Sequence, residues 1–252
     1  MEELIVRVHG GCSLPALIYL PGLHGDWTLV GSFRRAVSGR VRFVELTYPR
    51  TLTWSLDEYA AGVERALARA AISEGWLLAE SYGSQVAWQI IGRSQFQARG
   101  LILAGGFVRH PTLWGVRLAA RLMERVPTAL VGSLLQLYGV VLRVRYRRAP
   151  EVLGELSEFL GRRTELDRLA GGHRLRLIAA SDPCDLAGNC NLPVYALTGF
   201  FDPVVAWLPV RSWLRKNCPA LRQHKVIFRA DHTVLSTAPE AAAAQVLQWI
   251  GA

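Results

Sequence analysis

Short apolar runs alternate with helical patterns along most of this chain, and that alternation constrains its fold more than any other feature. Ala16 to Leu20 (ALIYL), Arg42 to Leu46 (RFVEL), Trp76 to Ala79, Gly100 to Ala104 (GLILA), Val194 to Thr198 (VYALT) and Lys225 to Phe228 (KVIF) read as strands, with Leu4 to Val8 a further short one. Such runs are short for helices and largely apolar at successive positions, so both sides of each strand must be covered. Helical patterns separate them, at Ser32–Val37, from Ser55 through Ala71, at about Gly83–Gly92, near Trp207–Lys216 and at Pro239–Ile250. Ser55 is an N-cap candidate, with Glu58 at the capping-box spacing. Short apolar strands alternating with helices build a parallel sheet with helices on both faces. The expected class is α/β.

One segment breaks the pattern. From Phe107 to about Gly172 the chain offers helical patterns and no convincing strand, punctuated by Pro111, Pro127, Pro150 and Gly171-Gly172. The expectation is an all-helical insertion at 107–172 over one end of the sheet, dividing a core made of residues 1–106 and 173–252. Val126 to Leu142 is free of charge but short of the roughly 20 apolar residues a bilayer span needs. It reads as a buried or interfacial helix.

Charge follows the same segment. The net charge is +9, and between Phe107 and Arg148 eight arginines face one acid, Glu124, so seven of the nine charges gather there. Charge so confined argues against a nucleic-acid partner. It fits a solvated arginine face, or a weak attraction to an anionic membrane surface or an acidic substrate. The acidic Met1-Glu2-Glu3 start, followed by a short apolar segment broken by Arg7, is no secretory signal, and a cytoplasmic protein with free thiols is expected. Metal-ligand spacing is missing: there is no CxxC or HExxH, and the six histidines are scattered.

The stretch LLAESYGSQVA carries the chemistry. Ser81 stands between the Trp76–Ala79 strand and the next helical pattern, with Ala79 and Gly83 two positions on either side. It is either an N-cap serine or a nucleophile on a tight strand-to-helix turn, where neighbours must be small. The usual elbow pattern is G-x-S-x-G, here A-x-S-x-G. A serine hydroxyl needs a base to take its proton and an acid to orient that base. Asp202 follows the VYALT strand and His232 follows KVIF, in the order Ser…Asp…His, each just past its own strand. That is the edge of a parallel sheet where function gathers. Glu80 and Asp231 are expected to serve local structure, and Asp182 and Asp185 precede VYALT, at its wrong end.

An oxyanion needs amide donors. One candidate is the amide of Tyr82; the other lies in the loop LPGLHGDW after ALIYL. LPGLHGDW, AESYGS, LTGFFDPVV and ADHTVL together resemble the α/β-hydrolase superfamily, and within it the small serine hydrolases with a helical lid. The resemblance spans nearly the whole chain. It implies a mostly parallel, doubly wound α/β-hydrolase sheet with 107–172 as an inserted lid. It also implies Ser81 as nucleophile, His232 as general base, Asp202 as its orienter, and the amides of Leu23 and Tyr82 as oxyanion hole. Pro21 replaces the family's usual loop histidine, and a register on His24-Gly25 would move the donor to Asp26; Leu23 is preferred because Pro21-Gly22 directly follows the apolar run. His24 is a substrate-contact candidate and otherwise shapes the loop. A small-molecule ester or acyl substrate and no cofactor or metal are implied. Acyltransferases, thioesterases, carbon–carbon bond hydrolases and hydroxynitrile lyases would share these residues, whereas a non-enzymatic binding module would not need all three triad positions filled. Serine at the elbow, where aspartate would stand, argues against dehalogenase or epoxide-hydrolase chemistry.

Overall fold

Seven strands form one sheet in a computed structural model of the chain, which describes residues 3–125 and 150–252. In chain order they are β1 (Ile5–His9), β2 (Ala16–Leu20), β3 (Arg42–Thr47), β4 (Glu74–Glu80), β5 (Gln97–Ala104), β6 (Val194–Gly199) and β7 (Leu221–Ile227), and the spatial order is β1-β3-β2-β4-β5-β6-β7. Only β1 pairs antiparallel, against β3; every other neighbour is parallel. The apolar runs behave as their composition requires, because alternate residues of one strand enter opposite cores. Ile18, Leu20, Leu77, Ala79, Leu101 and Leu103 face one side, and Leu17, Tyr19, Leu78, Ile102 and Ala104 the other.

Helices cover both faces. On one side pack α2 (Leu56–Arg69), α3 (Gly83–Arg93) and α8 (Trp207–Asn217); on the other, α1 (Gly31–Ala36) and α10 (Pro239–Ile250). Ser55 caps α2 as expected: its hydroxyl accepts from the Glu58 amide, and the Glu58 carboxylate accepts from the Ser55 amide at 2.7 Å. Between β5 and β6 lie α4 (Leu113–Arg125), α5 (Pro150–Gly161), α6 (Glu165–Ala180) and the short α7 (Cys184–Gly188). A four-residue α9 (Val234–Thr237) precedes α10. Among the described residues, no helix is long and apolar enough to cross a membrane. The segment Val126–Leu142, its bulky Leu134, Leu135, Leu137 and Tyr138, and the arginines at 143, 145, 147 and 148 lie outside the described residues.

Two boundaries differ from the sequence reading. Gly171-Gly172 does not end the helical interval; α6 continues through both glycines to Ala180. The pair is a packing feature: a Cβ on Gly171 would lie 3.1 Å from the Met123 side chain of α4, so the glycines let the two helices cross closely. The last strand starts four residues before KVIF, at Leu221, and stops at Ile227, leaving Phe228 70% exposed. Polar Arg222, Gln223 and His224 are admissible there because β7 is an edge strand.

Candidate active site

β4 lies mid-sheet between β2 and β5, so its carboxyl end opens onto the crevice above the strands. There the chain reverses into α3 within one residue. Ser81 takes φ +50°, a left-handed conformation that L-residues other than glycine rarely hold. Its amide donates to the Ala104 carbonyl of β5 (3.1 Å), and its carbonyl accepts from the Ser84 amide and hydroxyl. Gly83 carries the turn: a Cβ there would stand 2.3 Å from the Leu20 carbonyl oxygen and 3.0 Å from that of Pro21, both backbone atoms. Gly83→Ala is therefore expected to push α3 off β2 and misplace Ser81. Since a 1 Å misplacement costs about a hundredfold in rate, kcat/KM should fall by about that factor and Tm should drop. Steady-state kinetics and a thermal melt check both.

The three predicted side chains meet. His232 Nε2 lies 2.8 Å from Ser81 Oγ, and His232 Nδ1 lies 2.8 Å from Asp202 Oδ2. Asp202 is held from its other oxygen, Oδ1, which accepts from the Val204 and Val205 amides at 2.8 Å each. Its side chain is fully buried and that of His232 nearly so. Burial by itself would lower the imidazole pKa. The hydrogen bond to Asp202, with the negative charges of Asp202, Glu80 and Asp231, outweighs burial and holds it above its ordinary value.

Gly22 passes so close that a Cβ on it would sit 3.5 Å from the Ser81 Cβ, and the Gly25 amide closes a turn onto the Gly22 carbonyl at 3.0 Å. Leu23 and His24 form the tip of that turn, and both line the cavity next to Ser81. Asp26 faces away from the cavity, accepting from Thr28 and from Arg163 (2.5 Å). Burial would raise the Asp26 carboxyl, but His24, Arg163 and Thr28 bring it down to about 2. Burial pushes His24 down to about 4, so its imidazole is neutral at pH 7; its Nε2 is buried with no partner among the described residues.

Sequence reasoning missed the clamp behind this loop. Arg174 of α6 is 2% exposed and donates to the Leu23 carbonyl (2.9 Å) and the Pro49 carbonyl (3.0 Å). Gly25, at φ +80°, makes room for it, since a Cβ there would meet the guanidinium at 2.4 Å. Arg163 adds a bond to the His24 carbonyl (3.3 Å). Nothing local marks these two among so many arginines; only the packing of α6 and of the connection before it against the loop does.

Glu80 and Asp231 occupy the local roles expected of them. Asp231 Oδ1 accepts from the Thr233 amide and hydroxyl at 3.0 Å each. Glu80, 1% exposed, accepts from Tyr19 (2.5 Å). Burial pushes its carboxyl up to about 7, against the opposing pull of the Tyr19 hydrogen bond and the His232 charge. Asp182 does not line the cavity beside Ser81; it lies beside the Cys184 amide and Arg109.

A cavity of about 370 Å³ opens above Ser81 and His232. Its walls are apolar, with Val116 and Ala119 from α4, Leu175 and Ile178 from α6, and Val204 and Val205 from the loop after β6. His110 and Thr112, which sequence reading left unassigned, add polar groups. Among the described residues no cluster of His, Cys, Asp and Glu could hold a metal ion.

No family model and no curated protein matches the chain. Solved structures do. A thermophilic esterase from Thermogutta terrifontis is similar at TM-score 0.76 and 18% identity, over 98% of this chain and 93% of its own. The enol-lactonase from Burkholderia xenovorans LB400 is similar at TM-score 0.79 and 15% identity, over 99% and 96%. An α/β-hydrolase enzyme from a Medee basin deep-sea metagenome library is similar at TM-score 0.78 and 12% identity, over 99% and 94%. With its strand order, parallel pairing and full-length likeness to these structures, the chain has the α/β-hydrolase fold.

Proposed function

We propose that this protein is a serine hydrolase that cleaves a carboxylic ester, or a related acyl bond, through an acyl-enzyme intermediate. The observation that carries the reading is the continuous relay Asp202–His232–Ser81, each link 2.8 Å, at the floor of an apolar cavity. His232 Nε2 takes the Ser81 proton as Oγ attacks the substrate carbonyl carbon, and Asp202 holds the resulting imidazolium. The carbonyl oxygen becomes an oxyanion and is received by the amides of Leu23 and Tyr82. The tetrahedral adduct collapses, His232 returns its proton to the departing alkoxide, and the alcohol leaves. Water, deprotonated by His232, then attacks the acyl carbon and releases the acid with Ser81 restored. The insertion expected at 107–172 is the lid in this reading: α4 roofs the site with Val116 and Ala119, α6, which runs on past the insertion, adds Leu175 and Ile178, and His24 offers its buried neutral ring to the substrate.

The fold likeness to an esterase and an enol-lactonase supports an ester or lactone carbonyl as the target. The cavity is near the lower end of small-molecule sites, so short acyl chains should be preferred. A p-nitrophenyl ester series, acetate through palmitate, tests this. The expected result is a kcat/KM maximum at the short end, and failure to cleave any member would turn the reading towards another reaction on the same residues.

The pH profile gives a second test. Catalysis needs neutral His232, so kcat/KM should fall on the acid side through a pKa above the ordinary imidazole value of about 6.5. Glu80 titrates close by, so the limb belongs to the pair. Glu80→Gln removes a negative charge that holds the imidazole up, and the acid limb should move to lower pH. A limb that moves to higher pH, or stays, would contradict this coupling.

A further inference from the structure

The outer face of α4 is as ordered as its inner face. Inward, Val116 and Ala119 line the cavity. Outward, Trp114, Leu118 and Leu122 repeat every four residues, 73%, 48% and 50% exposed. Beside them Arg117, Arg121 and Arg125 repeat at the same spacing, all exposed. The helix's single acid, Glu124, is taken by Arg176 of α6.

The opposite wall of the cavity has the same character. Phe200, Phe201 and Phe228 are all exposed, with Phe200 stacked on Phe228 at 5.1 Å and tilted against Trp207 at 6.0 Å. Val204 and Leu208 extend the patch at 53% and 62% exposure, and Val204 also lines the cavity. From Phe200 to Ala230 the chain carries six cations, Arg211, Arg215, Lys216, Arg222, Lys225 and Arg229, against one acid, the buried Asp202. Soluble proteins seldom leave so much contiguous apolar surface uncovered unless it binds something.

We propose that these two rims seat the cavity mouth on an anionic lipid surface. A tryptophan–leucine stripe flanked by arginines is the composition of a helix lying in a bilayer interface, its apolar side chains among the acyl chains and its guanidinium groups at the lipid phosphates. A second copy of this chain fits worse, because a two-fold contact would bring each arginine row against its like. Resting on the hydrolase reading above, the arrangement makes the substrate an ester held in or near the membrane, entering the cavity without crossing water.

Co-sedimentation with vesicles tests the docking without turnover. The protein is expected to pellet with phosphatidylcholine vesicles containing phosphatidylglycerol, to stay largely in solution with phosphatidylcholine alone, and to be released by salt. Arg117→Gln with Arg121→Gln should weaken partitioning about thirtyfold, from about fivefold per surface cation. Trp114→Ser with Leu118→Ser, and Phe228→Ser separately, should weaken it through lost insertion. All three variants should cleave soluble p-nitrophenyl acetate like the parent, which shows that they fold. Ser81→Ala should bind vesicles undiminished, so a failure of catalysis and a failure of docking are read apart. Binding that ignores phosphatidylglycerol, or is equal in the variants, would overturn the proposal. So would a dimer in sedimentation velocity that Trp114→Ser with Leu118→Ser disperses, which would assign the face to a second copy.

Discussion

Alanine in place of Ser81 is expected to lower kcat on a p-nitrophenyl ester by about a millionfold, the scale seen when a triad acting as a unit loses its nucleophile. The loss should come without unfolding. Ser81 Oγ is hydrogen-bonded to His232, while the Ser81 backbone bonds to Ala104 and Ser84 are untouched by the substitution. The left-handed turn adds a further expectation. Serine pays roughly 1–2 kcal/mol to hold φ +50°, so Ser81→Gly should be inactive and more stable than the parent by about 1 kcal/mol. A protein that gains stability on losing its hydroxyl and its activity together would mark the strain as the cost of presenting that hydroxyl. Wild-type turnover in either variant would sink the assignment of Ser81.

Asp202→Asn should cost about ten-thousandfold in kcat while leaving stability nearly unchanged. The physical reason is a tautomer. Asp202 Oδ1 accepts from two backbone amides, and an asparagine oxygen can keep both bonds, which fixes the side-chain orientation. The new NH₂ group then points at His232 Nδ1, where the carboxylate oxygen had been. Nδ1 must become the acceptor, the proton moves to Nε2, and Nε2 can no longer take a proton from Ser81. Burst and steady-state kinetics of the purified variant, with a thermal melt, measure both halves. A variant within tenfold of the parent would show that His232 does not depend on Asp202 for its tautomer.

Much of this geometry was legible in the chain before any fold was known. ALIYL, GLILA and VYALT are almost wholly apolar because they are interior strands buried on both faces. The Ser55 capping box and the Pro239 start of the last helix are local chemistry, decided within a few residues, and both helices begin where the sequence places them. The tight left-handed turn at Ser81 was foreshadowed by the small residues around it, and Asp202 and His232 stand just past their strands. Where the reading slipped, long-range packing was the cause. Gly171-Gly172 looks like a helix stop and is instead the crossing point with Met123 of α4. The polar start of β7 looks like loop because an edge strand needs no apolar outer row.

What the sequence determined by itself is therefore the class of sheet, most of its strands and helices, and the placement of Ser81, Asp202 and His232, each just past the end of its own strand. These follow from hydrophobic period, turn chemistry and chain order, all of which act over short separations. What only the tertiary structure decided is how those residues are held. Arg174 and Arg163 grip the Leu23–His24 turn from 139 and more residues away in the chain, and Tyr19, from 61 residues away, holds Glu80, whose charge acts on His232. The apolar stripe of α4 also shares its helix with the wall of the cavity. A buried cation on a backbone carbonyl leaves no periodic signal, because its meaning lies in the partner that the fold brings to it.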